Sequence, residues 1–375
     1  MKEGWEYKTI KECCTELFAG GDVPKPDVSK NKTQNFTVPI YTNGVENEGL
    51  YGYTNNARVY EPAVTISARG TIGATFRRYT PFYPAIRLIT AVPNKDLLCI
   101  DYLYYALKTL TVGNSGTSIP QLTIPNIKNI VIPVPPLSEQ QSIVNYLDSA
   151  FAKIDAMKAN AEKALNEAKA LFQASLKEML EPKEGWEEDT LSNCCIKAKN
   201  IKWGKDTPSH KYIDLSSVDR ETSQIYNTIV VTPQDAPSRA KQIVTKGDII
   251  FATTRPTLRR VALICENYDG EICSTGFCVL RPKNHLASKW IFYLLKADRF
   301  YNYIEPLQSG ANYPAVTDSA VKGYVIPVPP LSEQHSIVAT LDSLKSKVDR
   351  LQENYDKISQ ECDALKQAIL RKVFE

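Results

Sequence analysis

The sequence predicts an α+β protein with a pseudo-two-fold internal repeat, in which two globular domains are separated by two long helices that form an antiparallel coiled coil. Three observations predict this fold. The ten residues 131–140 recur unchanged as 325–334, the pentapeptide 2–6 recurs as 183–187, and a long segment without Pro or Gly follows each decapeptide. The repeat divides the chain into globular domains at 1–132 and 183–326, each followed by a helical segment, at 133–182 and 327–375.

The two repeated segments recur at different intervals along the chain. The decapeptide recurs after 194 residues, whereas the pentapeptide and the pair Cys13-Cys14 recur after 181 residues. The second globular domain is therefore expected to hold about 13 additional residues.

Each decapeptide is expected to open a long helix. Ser138 and Ser332 follow prolines that cannot continue a helix from upstream, and serine is a good N-cap residue. About 43 helical residues would make a rod of roughly 64 Å. The apolar residues of each rod alternate at intervals of four and three, which is typical of a coiled coil. The predicted seam includes Ile143, Leu147, Ile154, Ala161 and Leu171 in the first rod, and Ile337, Leu341, Val348, Leu351 and Leu365 in the second.

The two seams differ in bulk, since the first is rich in alanine and the second is not. Large residues facing small ones would let the rods approach closely, and an antiparallel pairing sets Ala161 near Leu351 and Ala168 near Leu344. The alternative is a pair of separate amphipathic helices, each packed on its own domain. A coiled coil is favoured because a helix of a globular domain seldom keeps a heptad seam over five heptads.

The composition is that of a soluble globular protein, and no apolar run is long enough to span a membrane. Residues 1–5 lack the apolar core of a signal peptide, so a cytoplasmic protein is expected. Residues 1–132 hold 14 basic and 11 acidic side chains, and residues 183–326 hold 19 and 16. Each globular part therefore carries a net charge of +3, which suits a polyanionic partner.

Motifs for catalysis and for metal binding are missing from the sequence. It contains no Walker A motif, no GxGxxG and no Asn/Asp-Pro-Pro-aromatic tetrapeptide of the kind that amino-methyltransferases use. The nine cysteines form no CxxC pair, and His210, His285 and His335 have no neighbours that suggest a triad or a metal site. We expect no catalytic residue, no metal and no cofactor in this chain.

A basic loop follows a predicted strand in each globular part, after residues 63–67 and 248–252. Arginine and threonine on a loop can contact phosphates, and arginine can also donate to O6 and N7 of guanine. The alternative is a solvated surface hairpin, but two such loops at equivalent positions favour a functional role. The candidate DNA-contacting residues are Arg69, Thr71, Arg77 and Arg78 in the first loop, and Thr254, Arg255, Thr257, Arg259 and Arg260 in the second.

A second shared element precedes each decapeptide, at 113–123 and 308–317. Its small polar residues could donate hydrogen bonds to DNA, and they could equally form ordinary linker turns. The candidates here are Ser115, Thr117, Gln121 and Asn312.

Taken together, these motifs resemble the specificity (S) subunit of type I restriction-modification systems. The resemblance covers essentially the whole chain and depends on the repeated Pro-Val-Pro-Pro-Leu-Ser-Glu-Gln at 133–140 and 327–334, and on the segments 18–21, 67–73 and 116–123. It departs from the pattern at the second basic loop, where Arg255-Pro256 replaces Arg69-Gly70.

The resemblance implies a function for each part of the chain. Each globular part would be a target-recognition domain that binds one half of a bipartite double-stranded DNA site, and the helices would set the spacer between the halves. The helices would also dock two methyltransferase (M) subunits, and through them motor-nuclease (R) subunits. S-adenosylmethionine, ATP and Mg would bind to those partner subunits.

Two other functions compete with this interpretation. The chain could be an enzyme, either a fused methyltransferase or a nuclease, although the missing cofactor and metal motifs argue against that. It could also be a coiled-coil adaptor that does not bind DNA, although the paired arginine loops argue against that.

Overall fold

The computed structural model describes residues 4–110, 122–310 and 312–374. The chain forms two compact units, Met1–Glu162 with Tyr355–Glu375, and Lys163–Asn354. The first and second halves of the sequence follow a similar succession of strands and helices, as the internal repeat predicts, and the described part of the second half holds an additional strand, Ala240–Ile243, and an additional helix, Asp298–Ile304. Both long helices contribute residues to both units, so the units differ from the predicted division into domains and separate helical segments.

Unit 1 contains nine short strands in its described part and is built on a four-stranded antiparallel sheet of order β2-β8-β5-β6. A second sheet, β4-β3-β7, pairs β3 antiparallel with β4 and parallel with β7. The strands are β1 Glu6–Thr9, β2 Cys14–Ala19, β3 Val38–Tyr41, β4 Leu50–Thr54, β5 Ala63–Ile66, β6 Thr75–Arg78, β7 Tyr83–Pro84, β8 Ile89–Pro93 and β9 Val131–Val134. The helices are α1 Ile10–Cys13, α2 Ile100–Leu110, α3 Ile124–Lys128 and α4 Leu137–Leu180.

Unit 2 repeats this arrangement with the four-stranded sheet β11-β18-β15-β16. The strands are β10 Glu187–Thr190, β11 Cys195–Ile196, β12 His210–Ile213, β13 Ile229–Val231, β14 Ala240–Ile243, β15 Ile249–Ala252, β16 Val261–Leu263, β17 Ile272–Ser274, β18 Phe277–Pro282 and β19 Val325–Val328. The helices are α5 Leu191–Cys194, α6 Ser288–Lys296, α7 Asp298–Ile304, α8 Asp318–Lys322 and α9 Leu331–Phe374.

The second sheet of unit 2 has one more strand than its counterpart in unit 1. Its order is β13-β12-β17-β14, and the parallel pair β12–β17 matches the parallel pair β3–β7 of unit 1. The edge strand β14 has no counterpart in the second sheet of unit 1 among the residues that the structure describes. The additional residues expected in the second globular part therefore include an edge strand.

The two repeated peptides pair with each other in both units. Antiparallel β1–β9 sets Glu6 opposite Val134, and antiparallel β10–β19 sets Glu187 opposite Val328. The segment that contains β1 recurs after 181 residues, and the segment that contains β9 recurs after 194. The two intervals of the repeat therefore belong to the two strands of one ladder. This pairing joins the beginning of each globular part to the strand before its long helix.

The long helices begin at Leu137 and Leu331, one residue before the predicted N-caps. The backbone N–H groups of Glu139 and Gln140 donate to the Pro136 carbonyl, and Pro330 accepts the equivalent pair. The prediction that Ser138 and Ser332 are N-caps is wrong, because the prolines fill that position and the serines lie in the first turn.

The side chain of Gln140, which is fully buried, attaches α4 to the globular part of unit 1. Its amide nitrogen donates to the carbonyls of Leu97 and Pro135, at 2.7 and 2.8 Å, and its oxygen accepts from the Cys99 N–H at 2.9 Å. Gln334 repeats the three bonds in unit 2. The Gln of the repeated decapeptide therefore satisfies three backbone groups, one in the turn before α4 and two in the turn before α2.

Within each unit, residues of α4 and α9 pack against one another. In unit 1, Asp155 contacts Lys366 and Lys158 lies 3.5 Å from Asp363, so the two helices run antiparallel. Leu147 and Ile154 share a core with Cys362, Leu370 and Phe374. In unit 2, Lys169 donates to Gln352 at 2.8 Å, in the same antiparallel register, and Phe172 and Leu176 share a core with Leu341 and Val348. The two helices are therefore not separate amphipathic helices.

The seam differs from the predicted one at two of the ten named positions. Leu147, Ile154, Leu341 and Val348 are buried. Ile143, Ala161, Ile337 and Leu351 are half-buried. Leu171 is 62% exposed and Leu365 is 48% exposed, so placing them in the seam is wrong. Their neighbours Phe172 and Lys366 lie on the packed side instead. Residues one position apart can both border a helix seam, and the larger ring of Phe172 fills the core better.

No helix in the described ranges is long and apolar enough to cross a membrane.

Candidate nucleic-acid interface

The loop between β5 and β6 of unit 1, residues 67–74, presents Arg69 and Thr71 to solvent. Its base is closed by the Ser67 N–H, which donates to Ala74 at 2.8 Å, and by the Asn43 side chain, which accepts from Ala68 at 2.7 Å. A hairpin fixed at its base and exposed at its tip can place side chains in a groove of DNA.

Arg77 and Arg78 lie on β6 and point into the fold. Arg77 forms an ion pair with Asp101 at 2.7 Å and lies over the Tyr104 ring. Burial would lower its pKa, but the hydrogen bond to Asp101 raises it overall. The contacts of Arg77 show a role within the fold, and its predicted role at DNA has no support in them.

The assignment of Arg78 to the DNA surface is wrong. Its side chain is 3% exposed, pairs with Glu48 at 2.9 Å and lies 3.5 Å from the centre of the Tyr41 ring. Burial lowers its pKa, against the opposing effects of Tyr41 and Glu48. Arg78 stabilises the contact of β6 with the 3-10 turn at Glu46–Gly49.

The loop between β15 and β16 of unit 2, residues 253–260, has the same length as its counterpart in unit 1. Arg255 is the third residue of this loop, as Arg69 is of the first, and both are exposed. Arg259 and Arg260 end the loop, where unit 1 has Gly73 and Ala74. The pairs Arg77-Arg78 and Arg259-Arg260 look alike in the sequence, but they lie at different positions in the two units.

In unit 2 the two predicted elements lie side by side. The Arg255 N–H donates to the Pro314 carbonyl at 2.7 Å, Thr254 bridges to Ala315, and Asn312 is exposed in the same segment. In unit 1 the Leu122 N–H donates to the Ala68 carbonyl at 3.0 Å, which ties the corresponding segment to the first loop. The candidates Ser115, Thr117 and Gln121 lie outside the described residues.

The two elements of unit 2 and the residue before β14 line a basic cavity of about 620 Å³. Arg239, Arg255 and Arg260 contribute three guanidinium groups, and the residues that line the cavity in the described part of the chain include no carboxylate. The guanidinium carbon of Arg255 lies 4.9 Å from the centre of the Tyr313 ring, and that ring is 70% exposed. The cavity can attract an anion and offers an aromatic face beside it.

Two other residues of this loop lie away from the cavity wall. Arg259 forms an ion pair with Asp298 at 2.7 Å and lies over the Tyr301 ring, and Thr257 is exposed. Their assignment to the DNA surface stays a prediction.

Sequence patterns did not point to Arg239 or Tyr313. Arg239 directly precedes β14, and the repeat offers no counterpart because that strand is missing from the second sheet of unit 1. Tyr313 directly follows the predicted Asn312, so an aromatic residue beside small polar ones was the available signal.

Known proteins similar to this chain agree on one family. The family described as "Type I restriction modification DNA specificity domain" matches residues 2–167 and 183–360. The EcoDI specificity subunit of Escherichia coli is 23% identical over 389 residues, covering 90% of this chain and 85% of that protein. Two Mycoplasma pneumoniae proteins described as type I specificity subunits are 34% and 36% identical over 151 residues, and the matches span only 41% and 44% of their lengths.

Solved structures show the same fold at low identity. A chain from a study of assembly and conformational transition of the type I R-M system has a TM-score of 0.75 and 19% identity, covering 99% of this chain and 98% of its own. The HsdS subunit of Thermoanaerobacter tengcongensis has a TM-score of 0.59 and 19% identity, covering 100% and 97%. The chain belongs to the family of type I restriction-modification DNA specificity domains.

Proposed function

We propose that this chain is the non-catalytic DNA-specificity subunit of a type I restriction-modification complex, and that each globular part binds one half of a bipartite DNA site. One observation carries the proposal. The repeat places an exposed arginine, Arg69 or Arg255, at the third position of an eight-residue loop in each unit. A pair of equivalent basic loops suits two half-sites, and neither an enzyme nor a coiled-coil adaptor requires it.

The two loops differ in ways that suit two different half-sequences. Arginine can donate two hydrogen bonds to guanine, and neighbouring side chains decide which base pairs it can reach. Gly70 stands beside Arg69, whereas Pro256 stands beside Arg255, and Ala74 stands where unit 2 has Arg260. An asymmetric bipartite site follows from two unlike loops on one repeated scaffold.

The helices α4 and α9 serve, in this proposal, as the spacer between the half-sites and as the docking surface for methyltransferase subunits. Large apolar side chains on these helices are exposed, including Tyr146, Met157 and Leu171 on α4 and Leu365 on α9. A helix that presents such residues to solvent is suited to a protein partner. Two methyltransferase subunits, and motor-nuclease subunits through the complex, would supply the sites for S-adenosylmethionine, ATP and Mg in the cytoplasm.

The test is to sequence modified adenines in cells that express the complex with Arg69→Ala or Arg255→Ala. A base-reading arginine supplies about 1–3 kcal/mol of discrimination, so each variant should relax one base pair in one half-site only. Arg299→Ala is a matched control, since Arg299 lies on α7 and pairs with Glu188. If both loop variants give the wild-type pattern, the loops are surface hairpins and the assignment is wrong.

A further inference from the structure

We propose that the cavity of unit 2 holds a backbone phosphate of the DNA through Arg239 and Arg260, while Arg255 at its rim reads a base. This inference rests on the proposed half-site binding and deepens it. It gives unit 2 a phosphate contact that the described part of unit 1 does not repeat.

The charge of the cavity is the first argument. Three arginines line it, and no carboxylate lines it among the described residues. Arg77, Arg78 and Arg259 show the contrast, because each of them pairs with a carboxylate. In the described ranges no hydrogen bond or ion pair reaches the side chain of Arg239 or Arg260, and although Asp214 lines a neighbouring cavity together with Arg239, the cavity that holds the three arginines keeps a net positive charge. A phosphodiester, which carries one negative charge, fits that charge.

The shape of the cavity is the second argument. Base edges lie at the floor of a groove, so a side chain that reads them has to protrude, as the exposed Arg255 does. Phosphates stand at the surface of the duplex, and a concave basic site can receive them. Arg260 is half-buried within the wall, which suits a phosphate and not a base edge.

An unsatisfied donor in the wall is the third argument. Nε of Arg260 is buried and has no hydrogen-bond acceptor. Buried polar groups are normally paired, and an exception calls for an explanation, such as an ion or a water bound beside the group. An anion drawn into the cavity would supply acceptor oxygens to this guanidinium group.

The contact is specific to unit 2 for two structural reasons. Arg239 directly precedes β14, an edge strand that the second sheet of unit 1 lacks. Arg260 is the last residue of its loop, and Ala74 takes that place in unit 1. The two half-sites should therefore contribute unequally to the salt dependence of binding.

The experiment measures the affinity of the complex with its methyltransferase partner for a duplex that carries the methylated site, across a salt series. Loss of one phosphate contact reduces the magnitude of the negative slope of log K against log salt by about 0.9. Because both arginines hold the same phosphate, Arg239→Gln and Arg260→Gln should each reduce that magnitude by up to about this amount, and both should leave the ranking of base-substituted duplexes unchanged. Arg260→Lys, which keeps the charge, should restore the slope, and Arg299→Gln should not change it.

A neutral methylphosphonate placed at each phosphate of the unit 2 half-site in turn provides a second readout. At one position the methylphosphonate should weaken DNA binding by the wild-type complex, and it should not weaken DNA binding by the Arg260→Gln complex any further. A wild-type slope in both glutamine variants, or a changed base preference, would overturn the phosphate assignment while half-site binding stands. If the wild-type complex does not discriminate the methylated site from a scrambled duplex, the proposed function fails and this inference with it.

Discussion

The indole nitrogen of Trp186 donates a hydrogen bond to the carboxylate of Glu333, 3.0 Å away. Trp5 and Glu139 make the same bond at the same distance in unit 1. The tryptophan comes from the repeated pentapeptide and the glutamate from the repeated decapeptide. The two most similar segments of the repeat are therefore partners, and together they hold the beginning of a globular part against the start of a long helix.

Replacing Trp186 with Phe should lower the free energy of unfolding by about 1–2 kcal/mol, because a charged acceptor loses its donor in a partly buried site. The aromatic ring of Phe keeps the edge contact with Trp290, whose centre is 5.8 Å away. Denaturant unfolding of the full chain measures the change. Tyr146→Phe is the control, since that ring is 57% exposed and its hydroxyl has no hydrogen bond in the described structure. Equal stability of the two variants would contradict the prediction.

Gln140→Leu should destabilise the protein more strongly, by about 2–5 kcal/mol. Leucine has a similar size but leaves the carbonyls of Leu97 and Pro135 and the N–H of Cys99 without their partner, and an unsatisfied group costs about 1–3 kcal/mol where it is buried, as the Pro135 carbonyl is. The neighbouring Gln141→Leu is the matched control, because Gln141 is exposed. Thermal unfolding that fails to separate these two variants would show that Gln140 does not hold the helix start.

The internal repeat allowed the fold to be predicted, because repeated residues such as Gln140 and Gln334 make equivalent bonds in both units. Gln140 and Gln334 close the same buried groups, and the two intervals of the repeat became two strands of one ladder. The spacing of apolar residues did not predict which residue of the helix seam is buried where two neighbouring positions both fit the heptad. Leu171 and Phe172 both fit a heptad, and only packing showed that Phe172 is the buried one.

The candidate site was predictable only in part, because a basic residue in a sequence does not indicate which way it points. Arg69 and Arg78 belong to one basic segment, yet Arg69 is exposed while Arg78 is buried against Glu48. Whether an arginine faces solvent depends on the register of its strand, and the sequence of the segment alone does not determine that register. Arg239 lies far along the chain from the basic loop, so only the fold brings it to the cavity.

Lys296 predicts a pH dependence of stability in unit 2. Burial, with a contribution from Lys345, lowers the pKa of this lysine from 10.5 to about 8, and its ammonium group donates to Ser223 at 2.6 Å. Between those two pH values the unfolded chain binds a proton that the folded chain has released. The contribution of Lys296 to stability should therefore rise with pH from about 8 to about 10.5, by up to about 3 kcal/mol, and should not change below pH 8.

Lys296→Met should remove that rise and increase stability at pH 7. Lys108→Met is the matched control, because Lys108 occupies the corresponding position near the end of α2. The measurement is denaturant unfolding of wild type and both variants between pH 7 and pH 9.5. A rise of the same size in Lys296→Met and wild type would assign it to other groups.

Removing one heptad from each long helix should shorten the spacer of the recognition site. Deleting residues 161–167 from α4 and 354–360 from α9 keeps the cross-helix contacts Asp155–Lys366, Lys158–Asp363 and Lys169–Gln352. Seven residues preserve the heptad phase and shorten a helix by roughly 10 Å, which corresponds to about three base pairs at 3.4 Å each.

Sequencing of modified adenines in cells that express the shortened subunit measures the spacer directly. Both half-sites should keep their sequences, because the loops that carry Arg69 and Arg255 are untouched, and their separation should decrease by about three base pairs. Deleting 161–167 alone is the control, since it puts α4 and α9 out of register and should abolish co-purification with the methyltransferase subunits. The matched double deletion should retain co-purification, which shows that the partner still docks. An active double deletion that methylates sites with the original spacer would refute the idea that the helices set the distance between the half-sites.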